Sequence, residues 1–198
     1  MTSDRTPRTR AAFGDVFEPL LAAACSAEPW AWERLYGWLS PVVLGYLRSQ
    51  SLRDAEDRAS EVSVGVFRNI ATFSGTEDQF RSWVFVVAHR RVQDERRRLG
   101  RRPEPAPLDS DDQGDPVSTW ADPADDEAVS RVAADRLRET CERLAPDQRD
   151  VVLLRALADL TVEQTATVLG KSEGAVKALQ RRGFGRLRQL LVEGGVPL

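Results

Sequence analysis

Histidine, cysteine and lysine are scarce in this 198-residue chain. His89 is the sole histidine, so a histidine-built metal centre has no ligand set, and neither a metal nor a cofactor is expected. Cys25 and Cys141 lie far apart with no CxxC spacing, which argues against a zinc site or a disulfide framework. No apolar run approaches the roughly 18 residues needed to span a membrane; the stretch from Trp83 to Ala88 is short. At the N-terminus, Arg5, Arg8 and Arg10 precede Leu20 through Cys25 in a loose imitation of a lipoprotein signal. Asp15, Glu18 and Pro19 interrupt its would-be apolar region, so a cytoplasmic protein is expected. Lys171 and Lys177 are the only lysines; every other basic residue is arginine. Codon bias in a GC-rich genome accounts for most of that preference, although arginine also grips phosphates and carboxylates well.

Apolar material is not lacking. Hydrophobic residues make up 41% and charged residues 30%, enough to bury a core. Acidic and basic residues nearly cancel, which excludes a uniformly basic coat but not a segregated one. Segregation is strong. Residues 86–102 hold seven arginines against Asp94 and Glu95, and residues 103–128 hold nine acids, no base and five prolines. Residues 170–192 are basic again, with only Glu173 opposing. Proline and clustered like charge do not build a packed core. The organisation expected is a flexible tail over 1–12, a folded unit over 13–100, an acidic linker over 101–126 and a second folded unit over 127–198.

Both units read as helical. Ala55, Ala59, Val62, Val66, Ile70 and Phe73 recur at spacings of three or four, as do Phe80, Trp83, Val84, Val87 and Ala88. Trp30, Leu35, Leu39, Val43 and Leu47 predict an earlier helix, with Pro41 as a candidate bend. Val129, Val132, Ala133, Leu137, Cys141 and Leu144 continue the pattern beyond the linker. No period-two alternation stands out, and the expected fold class is all-α, with one small helical domain on each side of the linker.

The most informative segment is 161–182. Thr161 with Gln164 can form a capping box, Gly170 suits a helix end, and Ser172 can cap the next helix. A small residue at Ala166, a glycine four later, then apolar Val176 and Leu179 is helix-turn-helix spacing. The second helix of such a unit enters the DNA major groove. Its outer face would carry Glu173 and Lys177, then Arg181. Lys171, Arg182, Arg186 and Arg188 would lie near phosphates, which supply affinity without sequence readout. An ordinary helical hairpin with a solvated basic face is the plainer alternative.

Two further segments carry signals. Asp54, Glu56 and Asp57 open a helix where acids suit the dipole, and Asp54, Asp57 and Glu61 share a face. Simple helix-start chemistry is the default explanation of this segment taken alone. A metal-dependent nucleic-acid enzyme would use the same three carboxylates, but a carboxylate bundle normally needs Glu-x-x-His pairs that this chain lacks. The second signal is Phe80-Arg81-Ser82-Trp83-Val84-Phe85 running into the arginine-rich stretch with Arg90, Arg91 and Arg97. Aromatics beside a basic helix suit melting DNA, since bases can stack while arginines hold the backbone.

Taken in order, these segments resemble the extracytoplasmic function (ECF) sigma factors, the group IV sigma factors of bacterial RNA polymerase. Trp32-Glu33-Arg34-Leu35-Tyr36 and Pro41 to Leu47 are similar to the start of region 2. Asp54-Ala55-Glu56-Asp57 through Phe67 resembles the family's DAED helix. The resemblance implies that Asp54, Glu56, Asp57 and Glu61 bind the clamp coiled coil of the polymerase β′ subunit. It implies that the loop from Phe73 to Gln79 and the arginine-rich helix open and read the −10 element, using Phe73, Ser74, Gln79, Arg81, Trp83, Arg90, Arg91 and Arg97. The segment from Leu144-Ala145-Pro146 through the helix-turn-helix resembles region 4, which meets the β flap and reads the −35 element. Lys171, Ser172, Glu173, Lys177, Arg181, Arg182 and Arg186 would serve there. Promoter DNA, core polymerase and an anti-sigma factor are the implied partners; no bond-making chemistry and no membrane insertion are implied. The linker would thread a basic polymerase channel. Ser63 and Gly65 depart from the family pattern after Glu61, as do Val162 and Thr165 before Ala166. A stand-alone helix-turn-helix regulator, independent of polymerase, is the other reading these residues leave open.

Overall fold

The computed structural model describes residues 13–50, 52, 54–100 and 138–193. The expected tail, the acidic linker with its Trp120, and the start of the helix beginning near Val129 lie outside these residues.

Helix α1 (Phe17–Cys25) follows a short 3-10 turn. Helix α2 (Pro29–Arg48) opens with proline at its first turn, where the missing N–H has no partner to lose. It continues through Pro41 as one helix. Its inward face is Ala31, Leu35, Leu39, Val43 and Tyr46 with Leu47. Trp30, expected inside, is 52% exposed, because a spacing of four from Leu35 puts Ala31 on the buried stripe. Helix α3 (Ala55–Asn69) buries Ala55, Ala59, Val62 and Val66, as the periodicity predicts. At Gly65, one of the departures from the family pattern, a Cβ would make ordinary van der Waals contact with Val87 of the next helix at 3.5 Å, so packing there does not demand glycine.

Helix α4 (Glu77–Gly100) is the spine of the molecule. Phe80, Val84, Phe85, Ala88 and Val92 are buried along it. Phe80 meets Phe17 of α1 at a ring separation of 5.6 Å, and Phe85 meets Tyr46 of α2 edge-on at 5.4 Å. Fully burying such side chains contributes roughly 1.5–3 kcal/mol each.

The C-terminal half contains a helical stretch over 138–142, then α5 (Pro146–Ala156), α6 (Val162–Leu169) and α7 (Glu173–Glu193). Val152 of α5 packs with Leu144 and with Leu190 of α7. Helix α6 is held between α7 and α4, so it touches both halves of the chain. Val151, Leu153, Leu154, Leu160 and Val176 accordingly belong to the same buried cluster as Phe80, Val84 and Val92. The expected all-α fold is observed, with no strand among the described residues.

Candidate nucleic-acid and partner interfaces

The turn between α6 and α7 has the local chemistry that the sequence announces. Thr161 N donates to Gln164 Oε1 at 2.7 Å and Gln164 N donates to Thr161 Oγ1 at 3.1 Å, a complete capping box. Gly170 ends α6 at a φ of 61°, and Lys171 N donates to Ala166 O at 3.0 Å. That left-handed position is open to glycine at little cost. Ala175 N then donates to Ser172 Oγ at 3.3 Å, capping α7. Val176 is fully buried and anchors α7 in place.

With that face turned inward, Ser172, Glu173, Lys177, Arg181 and Arg182 are exposed. Lys177 and Glu173 pair along the helix at 3.5 Å, a contact that exposed side chains exchange readily. The flanking bases are more engaged. Lys171 meets Asp147 at 3.0 Å and Arg186 meets Glu193 at 3.8 Å. Val162 and Thr165, which depart from the family pattern, sit on a helix packed from two sides, and Thr165 is fully buried.

On α3, Asp54, Glu56 and Asp57 are exposed. Asp54 precedes the helix in the left-handed region, at a φ of 58°, and makes no side-chain cap bond. Arg48 bonds Glu56, and that guanidinium holds the Glu56 carboxyl below its ordinary pKa. Glu61 is shared between Arg58 at 2.8 Å and Arg91 at 3.7 Å. Asp57, Glu61, Val64 and Phe67 follow one another around adjacent positions of the helix surface. Val64 and Phe67 are 47% and 51% exposed. With Trp32 and Tyr36 of α2 they line a groove of about 360 Å³, in which the Trp32 and Phe67 rings lie 4.3 Å apart. The acidic end of α3 thus leads into an exposed apolar groove, which the carboxylate pattern alone did not indicate. Among the described residues no group of three or more His, Cys, Asp or Glu side chains could hold a metal ion.

The loop after α3 is shorter than expected. It closes at Thr76, and Glu77, Asp78 and Gln79 form the first turn of α4. Gln79 completes a second capping box: Thr76 N donates to its Oε1 at 2.9 Å, and Gln79 N donates to Thr76 Oγ1 at 3.3 Å. Phe73 is half-buried, stacked on Trp83 at 5.3 Å and edge-on to Phe80 at 5.3 Å. Trp83 is half-buried in the same cluster, while Ser74 is exposed at the loop tip. Arg90 and Arg97 are exposed one heptad apart on α4; Arg91 is half-buried beside Glu61. Arg81 is drawn elsewhere. Its guanidinium pairs with Glu77 at 3.3 Å and with Asp159 of the C-terminal half at 3.8 Å, and lies over the Trp38 ring at 5.3 Å.

Sequence reasoning missed a polar cluster at the junction of the halves. Asp150 of α5, 3% exposed, accepts two bonds from Arg96 of α4, both 2.9 Å. It also accepts from Gln50 Nε2 at 2.9 Å, and Arg96 donates to Gln50 Oε1 at 2.7 Å. Beside it, the Tyr46 hydroxyl lies 2.9 Å from His89 Nδ1, and His89 Nε2 lies 2.9 Å from Gln93 Nε2. Burial raises the Tyr46 pKa well above its ordinary value and lowers that of His89. Both are neutral as a result.

Comparison with known proteins agrees with this layout. Residues 31–102 match the family described as Sigma-70 region 2, and residues 142–189 match Sigma-70, region 4. The chain is 31% identical over 182 residues to the ECF RNA polymerase sigma factor ShbA of Streptomyces griseus, covering 88% of this chain and 95% of that one. It is 34% identical over 176 residues to the ECF RNA polymerase sigma factor BldN of Streptomyces coelicolor, covering 87% of this chain and 64% of the relative. The fold is similar to that in a solved structure of CnrH in complex with the cytosolic domain of CnrY. There the TM-score is 0.64 at 22% identity, covering 90% of this chain and 99% of that one.

Proposed function

Because this chain belongs to the ECF sigma factors of the sigma-70 family, and so binds core RNA polymerase and directs promoter-specific initiation, we propose how its residues divide that work. Residues 13–100 form the region 2 domain and residues 127–198 the region 4 domain, joined by the acidic linker over 101–126. The protein works in the cytoplasm, where its polymerase and promoter are; no described helix is long and apolar enough to cross a membrane.

Region 2 docks on the β′ clamp coiled coil through Asp54, Glu56, Asp57 and Glu61. The neighbouring groove of Trp32, Tyr36, Val64 and Phe67 supplies apolar area to the same contact. Charge there sets partner choice and encounter rate, while the buried apolar centre carries most of the affinity. Region 4 sits on the β flap and presents Glu173, Lys177 and Arg181 to the −35 base edges. Ser172, Lys171, Arg182 and Arg186 hold the phosphates on either side.

At the −10 element, Ser74 and the loop around it receive an unstacked base. Phe73 and Trp83 form the aromatic floor, Gln79 fixes the loop through its cap, and Arg90, Arg91 and Arg97 hold the backbone. Arg81 joins them once its contact with Asp159 is released. Neither half needs high DNA affinity alone, because polymerase holds both at a fixed separation and raises the effective concentration of each. The protein makes no bond itself; it positions the polymerase that does. Its activity is open to control by an anti-sigma factor that covers these docking faces.

The observation that carries this division is the exposed recognition face of α7, anchored from behind by fully buried Val176. The test is run-off transcription with purified core polymerase on a promoter selected from a randomised library. Promoter-specific product is expected only when this chain is added. Operator binding without polymerase, and no run-off product with it, would instead support a stand-alone regulator.

A further inference from the structure

One face of α2 carries almost no side chains. Gly37, Pro41 and Gly45 follow one another at spacings of four and so share a face of the helix. A Cβ on Gly37 or Gly45 would meet nothing within 4 Å. Over this stripe stands a cavity of about 590 Å³, inside the roughly 300–1,000 Å³ typical of small-molecule sites. Its walls are apolar: Trp38 and Val42 of α2, Phe85 of α4, and Leu157 of the turn between α5 and α6.

Apolar walls name no ligand, but the polar groups at the cavity do. Pro41 carries no N–H, so the Gly37 carbonyl, four residues earlier, lacks its helical donor. Asp159 lines the cavity from the turn between α5 and α6, and its side chain is 34% exposed. Among the described residues its only ion pair is with Arg81 at 3.8 Å, beyond hydrogen-bond range. Arg81 is engaged elsewhere: it donates to Glu77 at 3.3 Å and lies over the Trp38 ring at 5.3 Å. Arg81 and Glu77 cancel, which leaves Asp159 as the unbalanced charge. An anionic ligand would face two carboxylates with one guanidinium to offset them. A cationic one finds a carboxylate, a carbonyl without its donor, and an aromatic wall that itself favours positive charge.

We propose that this cavity binds a small amphipathic amine. Its ammonium donates to Asp159, with the Gly37 carbonyl as the second acceptor, and its apolar body lies among Trp38, Val42 and Leu157. An ammonium brings three donors on a compact head, enough for both acceptors. The bound amine takes Asp159 over from Arg81, replacing a long ion pair by a charge-assisted hydrogen bond. The site does not depend on the sigma-factor reading, and its test uses no polymerase.

The experiment is calorimetric titration of the full chain with tryptamine, and in parallel with indole-3-propionate, which carries a carboxylate on a similar apolar body. Wild type is expected to bind tryptamine at least about tenfold more tightly than indole-3-propionate, the worth of a hydrogen bond to a charged group. Its melting temperature should rise with tryptamine concentration. Asp159→Asn keeps a residue that tolerates the left-handed φ of 50° at this position and removes the charge. It is expected to weaken tryptamine binding by about ten- to a hundredfold and to erase the preference between the two probes. Gly45→Leu fills the open space over α2 and is expected to abolish tryptamine binding while leaving the ligand-free melting temperature at or above that of wild type. No saturable binding of tryptamine to wild type would overturn the site. Equal or tighter binding of indole-3-propionate would overturn the choice of an amine. Tryptamine binding unchanged in both variants would place it elsewhere on the chain and overturn the assignment to this cavity.

Discussion

Val152 of α5 stands so close to Gly183 of α7 that a Cβ on the glycine would lie 2.7 Å from Val152 Cγ2. Gln148 O would be 3.2 Å away on the same side. Two of the helices of the region 4 segment cross here, and the approach is set by the missing side chain. Gly183→Ala is expected to destabilise the protein by about 1–3 kcal/mol through overpacking. Alanine's better helix propensity offsets roughly 0.5–1 kcal/mol of that. Val152→Ala costs packing when made alone, but in the double variant it removes the clash. Chemical denaturation of the two single variants and the double closes a mutant cycle. Strict additivity would show that the contact does not limit the approach of the helices.

The parts of this fold legible in the sequence are those specified within a few residues. Thr161, Gln164, Gly170 and Ser172 each act on backbone groups no more than five positions away, and each makes its expected bond or dihedral. The stripe from Ala55 to Ile70 is equally local and is buried as expected. Gln50, Arg96 and Asp150 were not legible, because their partners are 46 to 100 residues away. In sequence they look like ordinary solvated side chains. Trp30 misled for a local reason: it stands five residues before Leu35, and the four-residue spacing selects the small Ala31. The resemblance assigns Gln79 to DNA, and the structure also gives it a capping role that only the start of α4 reveals.

His89 gives the stability a pH dependence. It is 3% exposed, and its two ring nitrogens face Tyr46 Oη and Gln93 Nε2 at 2.9 Å each. Burial lowers its folded pKa below the ordinary 6.5, opposed by Asp150 and aided by Arg96 and Lys171. Below pH 6.5 the unfolded chain therefore binds more protons than the folded one, and stability falls with falling pH. The loss starts as pH drops through about 6.5 and ends once pH is below the folded value. Thermal melts at pH 7.5 and pH 5.5 are expected to show a larger drop for wild type than for His89→Gln. Equal drops would place the acid sensitivity elsewhere.

The groove beside the acidic start of α3 predicts two kinds of polymerase defect. Asp57→Arg reverses an exposed charge and is expected to slow association, with an effect that shrinks as salt rises. Phe67→Ala removes apolar area from a side chain 51% exposed in the free protein, so it is expected to speed dissociation with little salt dependence. Association and dissociation phases recorded against immobilised core polymerase at two salt concentrations separate the two. Phe67→Ala also removes the 4.3 Å contact with Trp32, so near-ultraviolet circular dichroism is needed to show that α2 and α3 keep their packing. With packing intact, wild-type dissociation of Phe67→Ala would remove the groove from the docking surface.

The recognition helix allows the sharpest test, because its basic residues differ in where they point and in what already holds them. Lys177 and Arg181 are exposed on α7, turned about 100° and 140° from buried Val176, and among the described residues Lys177 pairs with Glu173 at 3.5 Å. A side chain there can reach base edges, and losing a good base contact costs roughly 1–3 kcal/mol of discrimination. Arg186 lies about 1.4 turns beyond Arg181, beside Glu193 at 3.8 Å, where on the proposed register the helix would have passed the groove floor and would meet backbone. Phosphates look alike at every position, so Arg186→Ala should weaken all promoters by a similar factor and reduce the salt slope by about one. Lys177→Ala and Arg181→Ala should instead change which −35 sequences are chosen from a library transcribed by the reconstituted holoenzyme. A shared preference between Lys177→Ala and wild type, alongside an altered one for Arg186→Ala, would rotate the helix in its groove and reverse these two roles.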